Sequence, residues 1–532
     1  MKSFFFGTIF LLVSNFLMAQ SINFIHPKPL WNDAMPKMEM DAVPLAKLQA
    51  EDELNKNNKT IPWRFGYEFE TNINPDNAGT WQVLPDGSRL WQIKISSPNA
   101  QSLNFMFTNF HLPNDAYIII YNNKNETQIG TYNASHNNVE NIVGTTLIAG
   151  DEAVIEYVEP ANAAFKGTFN ISKIIHGYRI YDYKSTFSLG FGSSGSCENN
   201  VNCPIGAAWQ KEKHAVVVIL CGGGYCSGSL LNDVNQDTIP FLMTAHHCGS
   251  SGFASWVFYF NYESPNCNKI NGPLNETVNG ATMMATNTKS DFTLLKLFSK
   301  VPLSYHPFFA GWNTSNTPPD SVVGIHHPEG DIKKISFANN QCYDSSYTDS
   351  YTALCWNIKH WDSGVTEPGS SGSPLYNKHH QFVGQLFGGP SACGYPDSLL
   401  NDYYGKFSTS WNADTAIHTQ VKFWLDPQNT GATSIAGFDP NPAKSLGVEN
   451  VIENDVQIYP NPTSSLISIQ LSVGSLKTVE VIDLQGRKIN LPISFQNADY
   501  CILKTENLSS GIYFLKIVDE KNNAVVKKFV KE

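Results

Sequence analysis

The chain has 532 residues, enough for about three to four folded units at roughly 150 residues each. Its hydrophobic fraction of 42% excludes wholesale disorder, and its charged fraction of 16% is unlike a long helical or coiled-coil protein, which leaves a compact, strand-rich one. A formal net charge of -11 gives no general attraction to nucleic acid or anionic membrane, so basic partners are favoured and no nucleic-acid partner is expected.

The first 19 residues read as a signal peptide. Lys2 gives the positive start, Phe4 to Val13 the apolar stretch, and Leu17-Met18-Ala19 a small-residue cleavage site before Gln20. Beyond it no run approaches the roughly 18 uninterrupted apolar residues that span a bilayer, so no transmembrane anchor is expected. Export permits disulfides, and nine of the ten cysteines lie between Cys197 and Cys393, which marks one crosslinked domain. They form no two close CxxC-type pairs, so a zinc site is not expected.

From Gln20 to about Leu189, strand-like stretches such as Leu90 to Ile95, Ala116 to Tyr121 and Ala153 to Tyr157 alternate with Asn, Pro and Gly turns, as in an independent β-rich domain. Residues 185–196 are rich in Ser and Gly and are expected to be exposed enough for cleavage. Residues 20–191 therefore read as a prosegment that covers a cleft and assists folding, with maturation after Lys184 or close to Gly192. The cysteine-rich domain spans 192–439. Pro440, Pro442 and a polar stretch make 440–456 a linker, and alternating Leu466 to Leu471, Val479 to Ile482 and Tyr513 to Val518 predict a small β-sandwich over 457–532.

The chemistry concentrates in three strings. In Gly369-Ser370-Ser371-Gly372-Ser373-Pro374, glycines flanking a serine allow a tight backbone that exposes the hydroxyl and aims the N–H groups of Gly369 and Ser371 at an oxyanion. Thr244-Ala245-His246-His247-Cys248 follows the apolar Ile239 to Met243 and offers an imidazole base from either histidine. A serine becomes a competent nucleophile when imidazole accepts its proton and a buried carboxylate fixes the tautomer, and Asp291, heading the apolar Phe292 to Leu297, is the candidate carboxylate. The pairs His246-His247, His326-His327 and His379-His380 lack the HExxH spacing of a zinc protease. Asp233 to Asp237 begins like a calcium loop, but Thr238 replaces the required glycine and Thr244 the closing glutamate, so a polar turn is expected.

Residues 192–439 resemble bacterial lysyl endopeptidases, a trypsin-like family. The matching strings are Ser194-Gly195-Ser196-Cys197, Thr244 to Gly249, Ser290-Asp291-Phe292-Thr293-Leu294-Leu295, Ile325-His326-His327-Pro328 and Thr366 to Pro374. The resemblance implies an all-β chain with a chymotrypsin-like double β-barrel, between a β-rich prosegment and a β-sandwich. It selects His247 over His246 and implies a triad of His247, Asp291 and Ser371 that needs no cofactor. It implies disulfides Cys197–Cys393, Cys203–Cys267 and Cys226–Cys248. Cys342 and Cys355 lie outside that pattern, and their separation suits the two arms of a strand pair, so an additional disulfide is expected there; Cys221 and Cys501 remain unpaired. By position the family's pocket aspartate is Asp402, with Asp397 the nearest alternative and a strand-like Phe407 to Trp411 following.

The expected activity is a secreted serine endopeptidase acting on proteins and peptides after lysine. Phe387 departs from the family, standing where relatives have a histidine, so an arginine/lysine trypsin-like preference is one alternative and a non-catalytic protease-fold binding protein another. Residues 457–532 resemble the sorting domain of Bacteroidetes type IX secretion cargo through Ile458-Tyr459-Pro460-Asn461-Pro462-Thr463, Asp483-Leu484-Gln485-Gly486-Arg487, Leu508-Ser509-Ser510-Gly511-Ile512-Tyr513 and a basic end at Lys527, Lys528 and Lys531. This implies the type IX machinery as a partner and a secreted or cell-surface location outside the outer membrane.

Overall fold

The computed structural model describes residues 35–122, 127–179, 190–441, 456–471, 476–483, 487–495, 497, 499–519 and 524–532. The expected signal peptide, Lys184, residues 442–455 of the expected linker, and Leu484, Gln485 and Gly486 lie outside them. The chain divides into two units, 1–441 and 442–532.

The first unit begins with a sandwich of two sheets. Arg89–Ser96 pairs antiparallel with Glu152–Glu159, which pairs in turn with Tyr117–Asn122; these are the three strands expected from the alternating stretches. A second sheet runs Ser102–His111, Thr168–Gly177, Gly66–Ile73. Aromatic and β-branched side chains fit a pleated surface buried on one side, and Trp91, Ile93, Phe105, Phe107, Ile118, Ile155 and Phe169 fill the space between the sheets. The sandwich is less independent than the sequence suggests. Its Trp63, Phe65, Leu147 and Ile175 share a buried cluster with Val218, Leu220, Tyr225 and Tyr259 of the following domain. Trp63–Arg64 also adds a short strand to Gly224–Leu231.

That following domain consists of two antiparallel sheets in the chymotrypsin-like arrangement. One orders Val257–Tyr259, Val216–Cys221, Gly224–Leu231, Phe241–Ala245, Phe292–Leu297 and Ala281–Asn287; the other orders Lys334–Ala338, Val322–His326, Pro374–Asn377, Phe382–Gly388, Asp402–Lys406, Thr352–Ile358 and Tyr343–Thr348. A core that includes Val217, Leu242, Leu294, Trp312, Ile325, Phe382 and Phe407 joins them. The stretch Phe407–Trp411 is a short helix, not the expected strand. Phe407 and Trp411 are four residues apart, so a helix sets both on one face, where their rings meet Trp312 at 5.9 and 4.5 Å.

Cys197–Cys393, Cys203–Cys267 and Cys226–Cys248 are disulfide-bonded. The expected Cys342–Cys355 bridge is absent, and both are free buried thiols. The hairpin register explains this. Tyr343 faces Asn357 and Ser345 faces Cys355, so Cys342 and Cys355 fall on opposite faces, since side chains alternate along a strand. Cys342 packs with Trp356 and Ile358, while Cys355 packs with Phe387. Cys221 and Cys501 are free.

The second unit is a sandwich of two small sheets, with Leu466–Leu471 and Tyr500–Lys504 central in one and Leu476–Ile482 and Gly511–Asp519 in the other. Ile467, Ile469, Val481, Leu503, Leu515, Ile517 and Phe529 form its core. Its opening motif is tied to its basic last strand, Ala524–Lys531: Asn461 donates through Nδ2 to the Lys528 carbonyl at 3.0 Å and accepts at Oδ1 from the Val530 N–H at 2.9 Å.

Candidate active site

Strand pairing brings His247 and Asp291 together. Phe241–Ala245 and Phe292–Leu297 are antiparallel with Ala245 opposite Phe292, so the residues just beyond that pair meet at the sheet's end. His247 Nδ1 lies 2.9 Å from Asp291 Oδ2, and the His247 N–H donates to Oδ1 at 3.0 Å. Asp291 adopts φ 53°, a left-handed conformation that aspartate tolerates better than most side chains. Its carbonyl is fixed there by the His246 N–H at 3.0 Å and Gln385 Nε2 at 3.2 Å. Asp291 is buried, so its carboxylate charge needs the two His247 contacts. His246 turns away and bonds Thr286 Oγ1 at 2.7 Å, and burial lowers its pKa.

A third donor to Asp291 was not legible in the sequence. The Tyr351 hydroxyl donates to Asp291 Oδ1 at 2.5 Å, and burial, followed by the Asp291 charge, raises its pKa and keeps it protonated. The Tyr351 ring stacks on Phe387 at 5.3 Å and 8°, and Phe387 in turn lies 5.7 Å from the His247 ring. Phe387 thus contributes an apolar wall that does not titrate. Tyr351→Phe keeps the stack and removes the donor. A charge-assisted bond contributes about 1.5 kcal/mol, so kcat on a peptide substrate should fall about tenfold with KM unchanged, measured by steady-state kinetics.

Ser371 sits in a loop pinned to both neighbouring strands. Its carbonyl accepts from the Ser227 N–H at 2.8 Å, Ser227 Oγ donates to the Gly369 carbonyl at 3.0 Å, and the Gly372 N–H donates to the Leu386 carbonyl at 2.9 Å. None of these bonds uses the N–H of Gly369 or Ser371. Gly369 has φ +90°, and a Cβ there would come within 2.9 Å of the Glu329 backbone nitrogen, so only glycine fits. Ser371 is buried, because the N-terminal region covers it: its hydroxyl donates to the Lys59 carbonyl at 2.6 Å. His247 Nε2 is buried with no hydrogen-bond partner.

The Lys59 side chain runs into a pocket floored by Asp402, which is also buried. The ammonium lies 2.8 Å from Asp402 Oδ1 and 2.8 Å from Ser391 Oγ. Asp402 Oδ2 is taken by Trp361 Nε1 at 2.7 Å, Thr366 Oγ1 at 2.8 Å and Ser391 Oγ at 2.5 Å. Burial lowers the Lys59 pKa, opposed first by the Asp402 charge. Gly389, at φ +141°, leaves the pocket open, since a Cβ there would come within 2.4 Å of Asp402 Oδ1. Asp397 lies on a surface turn, Asp397–Leu399, and is exposed, so the position nine residues after Cys393 holds the buried carboxylate. Trp361, Ser391 and Lys59 were missed in the sequence, where no local pattern sets them apart, and Thr366 was read only as the start of the Thr366 to Pro374 string and not as a pocket residue.

His326, His327 and His380 have oxygen partners, His380 Nδ1 lying 3.1 Å from Glu212 Oε1. His326 Nδ1 and Nε2 contact Ser370 Oγ at 2.8 Å and Ser336 Oγ at 3.1 Å, and His327 Nδ1 contacts the Asp331 carbonyl at 3.0 Å. Burial lowers the pKa of both, that of His327 to about 3. His380 stacks on Trp209 at 4.1 Å. Among the described residues, one group of possible metal ligands gathers, Glu198, Glu367 and Cys393, and the Cys393 sulfur is already committed to its disulfide.

Residues 191–405 match the family model described as lysyl endopeptidase, C-terminal domain, and residues 457–532 match the secretion system C-terminal sorting domain. A lysyl endopeptidase of Pseudomonas aeruginosa is 30% identical over 372 residues, covering 65% of this chain and 77% of that protein. Among solved structures, the MamO protease domain of Magnetospirillum magneticum aligns at 13% identity and a TM-score of 0.28, over 39% of this chain and 100% of that one. A Glu endopeptidase in complex with MPD aligns at 15% identity and a TM-score of 0.25, over 36% and 86%.

Proposed function

Because the chain belongs to the lysyl endopeptidase family and is a serine endopeptidase carrying a type IX sorting domain that directs it outside the cell or to its surface, we propose that it hydrolyses peptide bonds on the C-terminal side of lysine, using His247, Asp291 and Ser371. In this reading residues 20–191 are the prosegment, 192–439 the peptidase, 440–456 the linker and 457–532 the sorting domain, with maturation after Lys184 or close to Gly192. His247 accepts the Ser371 proton at Nε2 while Asp291 holds Nδ1. The N–H groups of Gly369 and Ser371 stabilise the tetrahedral oxyanion, His247 then protonates the leaving amine, and water hydrolyses the acyl-enzyme.

The observation that carries the lysine preference is Lys59 itself, whose ammonium meets Asp402 while its carbonyl meets Ser371. Asp402 Oδ2 is saturated by three donors, which leaves Oδ1 alone to face an occupant. An ammonium is a point donor and is satisfied by one carboxylate oxygen with Ser391 beside it. A guanidinium presents a planar fork that is best matched by two oxygens, so this pocket favours lysine over arginine. Matched peptide amides differing only in lysine or arginine test this: kcat/KM should be at least about 100-fold higher for lysine, corresponding to ~2.7 kcal/mol. Equal values would reduce the reading to general trypsin-like specificity.

A further inference from the structure

The N-terminal sandwich does more than cover the cleft. Asn57 to Arg64 threads the active site with a lysine in the specificity pocket, that lysine's carbonyl at Ser371, and the following residues continuing into the sheet that carries His247. Trp63 and Arg64 pair with Tyr225 and Gly224, and the N–H groups of Phe65 and Gly66 donate to the Gly223 carbonyl at 2.9 and 3.0 Å. Arg64 is anchored by Glu51 and Asp52 at 2.9 and 2.8 Å, and Phe65 stacks on Tyr225 at 4.6 Å. The bond next to Ser371 is therefore Lys59–Thr60. We propose that Lys59–Thr60 is a cleavage site for the protein's own active site, held as a slowly cut, inhibitor-like bond by Asn58.

The brace is visible in the hydrogen bonds. Asn58 Oδ1 accepts from the Thr60 N–H at 2.9 Å and from Thr60 Oγ1 at 2.7 Å, spanning the bond to be cut. Cleavage forms an ester between Ser371 Oγ and the Lys59 carbonyl carbon. The Lys59–Thr60 C–N bond breaks, and the Thr60 nitrogen leaves as an amine with the proton that His247 took from Ser371. Water then releases the Lys59 carboxylate. Two features slow this sequence. The Ser371 hydroxyl donates to the Lys59 carbonyl while His247 Nε2 has no partner, so the hydroxyl must first swing to the imidazole. The Thr60 amine also stays in place, tied by Asn58 and by the Trp63–Gly66 contacts, so it can attack the ester and restore the peptide bond before water arrives.

This inference rests on the lysine reading above, and the experiment separates the two. Full-length secreted protein is incubated at concentrations spanning 100-fold and new amino termini are followed by mass spectrometry, while mature enzyme is assayed separately on a lysyl peptide amide. A terminus at Thr60 should appear with a first-order rate independent of concentration and should be absent in Ser371→Ala. Asn58→Ala should raise that rate about tenfold, as expected for losing bonds worth ~1.4 kcal/mol. Mature enzyme active on the lysyl peptide together with no Thr60 terminus, or with one whose rate scales with concentration, would overturn the inference. Inactive mature enzyme would remove the lysine reading and the inference with it.

Discussion

Ser371→Ala is expected to lower kcat/KM on a lysyl peptide by about 10^4 or more, because in the proposed mechanism it deletes the atom that forms the acyl-enzyme. His247 is held by Asp291 at Nδ1, and its Nε2 has no partner while the Ser371 hydroxyl bonds the Lys59 carbonyl, so the imidazole is free to take the serine proton once that contact is released. Without the hydroxyl, rate enhancement over water is left to binding and to the amides of Gly369 and Ser371, which the substitution does not touch. The variant cannot process itself, so it is matured with a trace of wild-type enzyme that is then removed. A loss below about 100-fold would mean that another group performs the chemistry. Retained binding of lysyl peptides, measured by calorimetry, would show that the loss belongs to the chemical step.

Asp402→Asn should produce the second largest effect, a fall in kcat/KM for lysyl peptides of about 10^3. Asp402 is buried, and it is the anion that meets the ammonium in the pocket. Removing one partner of a buried ion pair leaves the other uncompensated, at a cost of about 3–5 kcal/mol. The asparagine amide would also present hydrogens to Trp361, Thr366 or Ser391, which now donate to Oδ2. The loss should be confined to cationic substrates, so the residual rate on a peptide with an uncharged residue at the cut should stay within about tenfold of wild type. A uniform loss across all substrates would instead indicate a collapsed pocket.

The sequence carried the parts of this site that depend on local pattern. The glycines around Ser371 and the apolar strands before His247 and after Asp291 are short-range features, and the structure sets His247 against Asp291, while Asp402, which only the family resemblance implied, lies against Lys59. Tyr351, Trp361 and Ser391 were not legible, because each reaches its carboxylate across a sheet or loop from a position that looks ordinary along the chain. Cys342 and Cys355 show the same limit from the other side. Their spacing suits a hairpin, but only the register decides which face each thiol occupies. Phe407–Trp411 misread as a strand because five residues with an aromatic at each end and three hydroxyl residues between them are too few to show a period, and packing on Trp312 selected the helix. Lys59 was hidden most completely. It lies in a polar stretch more than 300 residues from the carboxylate it meets, and only the fold of the whole first unit brings them together.

The most direct test of the central claim is digestion of an unfolded protein by mature wild type and by Ser371→Ala, side by side, with every new terminus identified by mass spectrometry. The account predicts new carboxyl termini overwhelmingly at lysine with wild type and essentially none with Ser371→Ala; termini with no lysine preference, or the same lysine pattern surviving in Ser371→Ala, would contradict it.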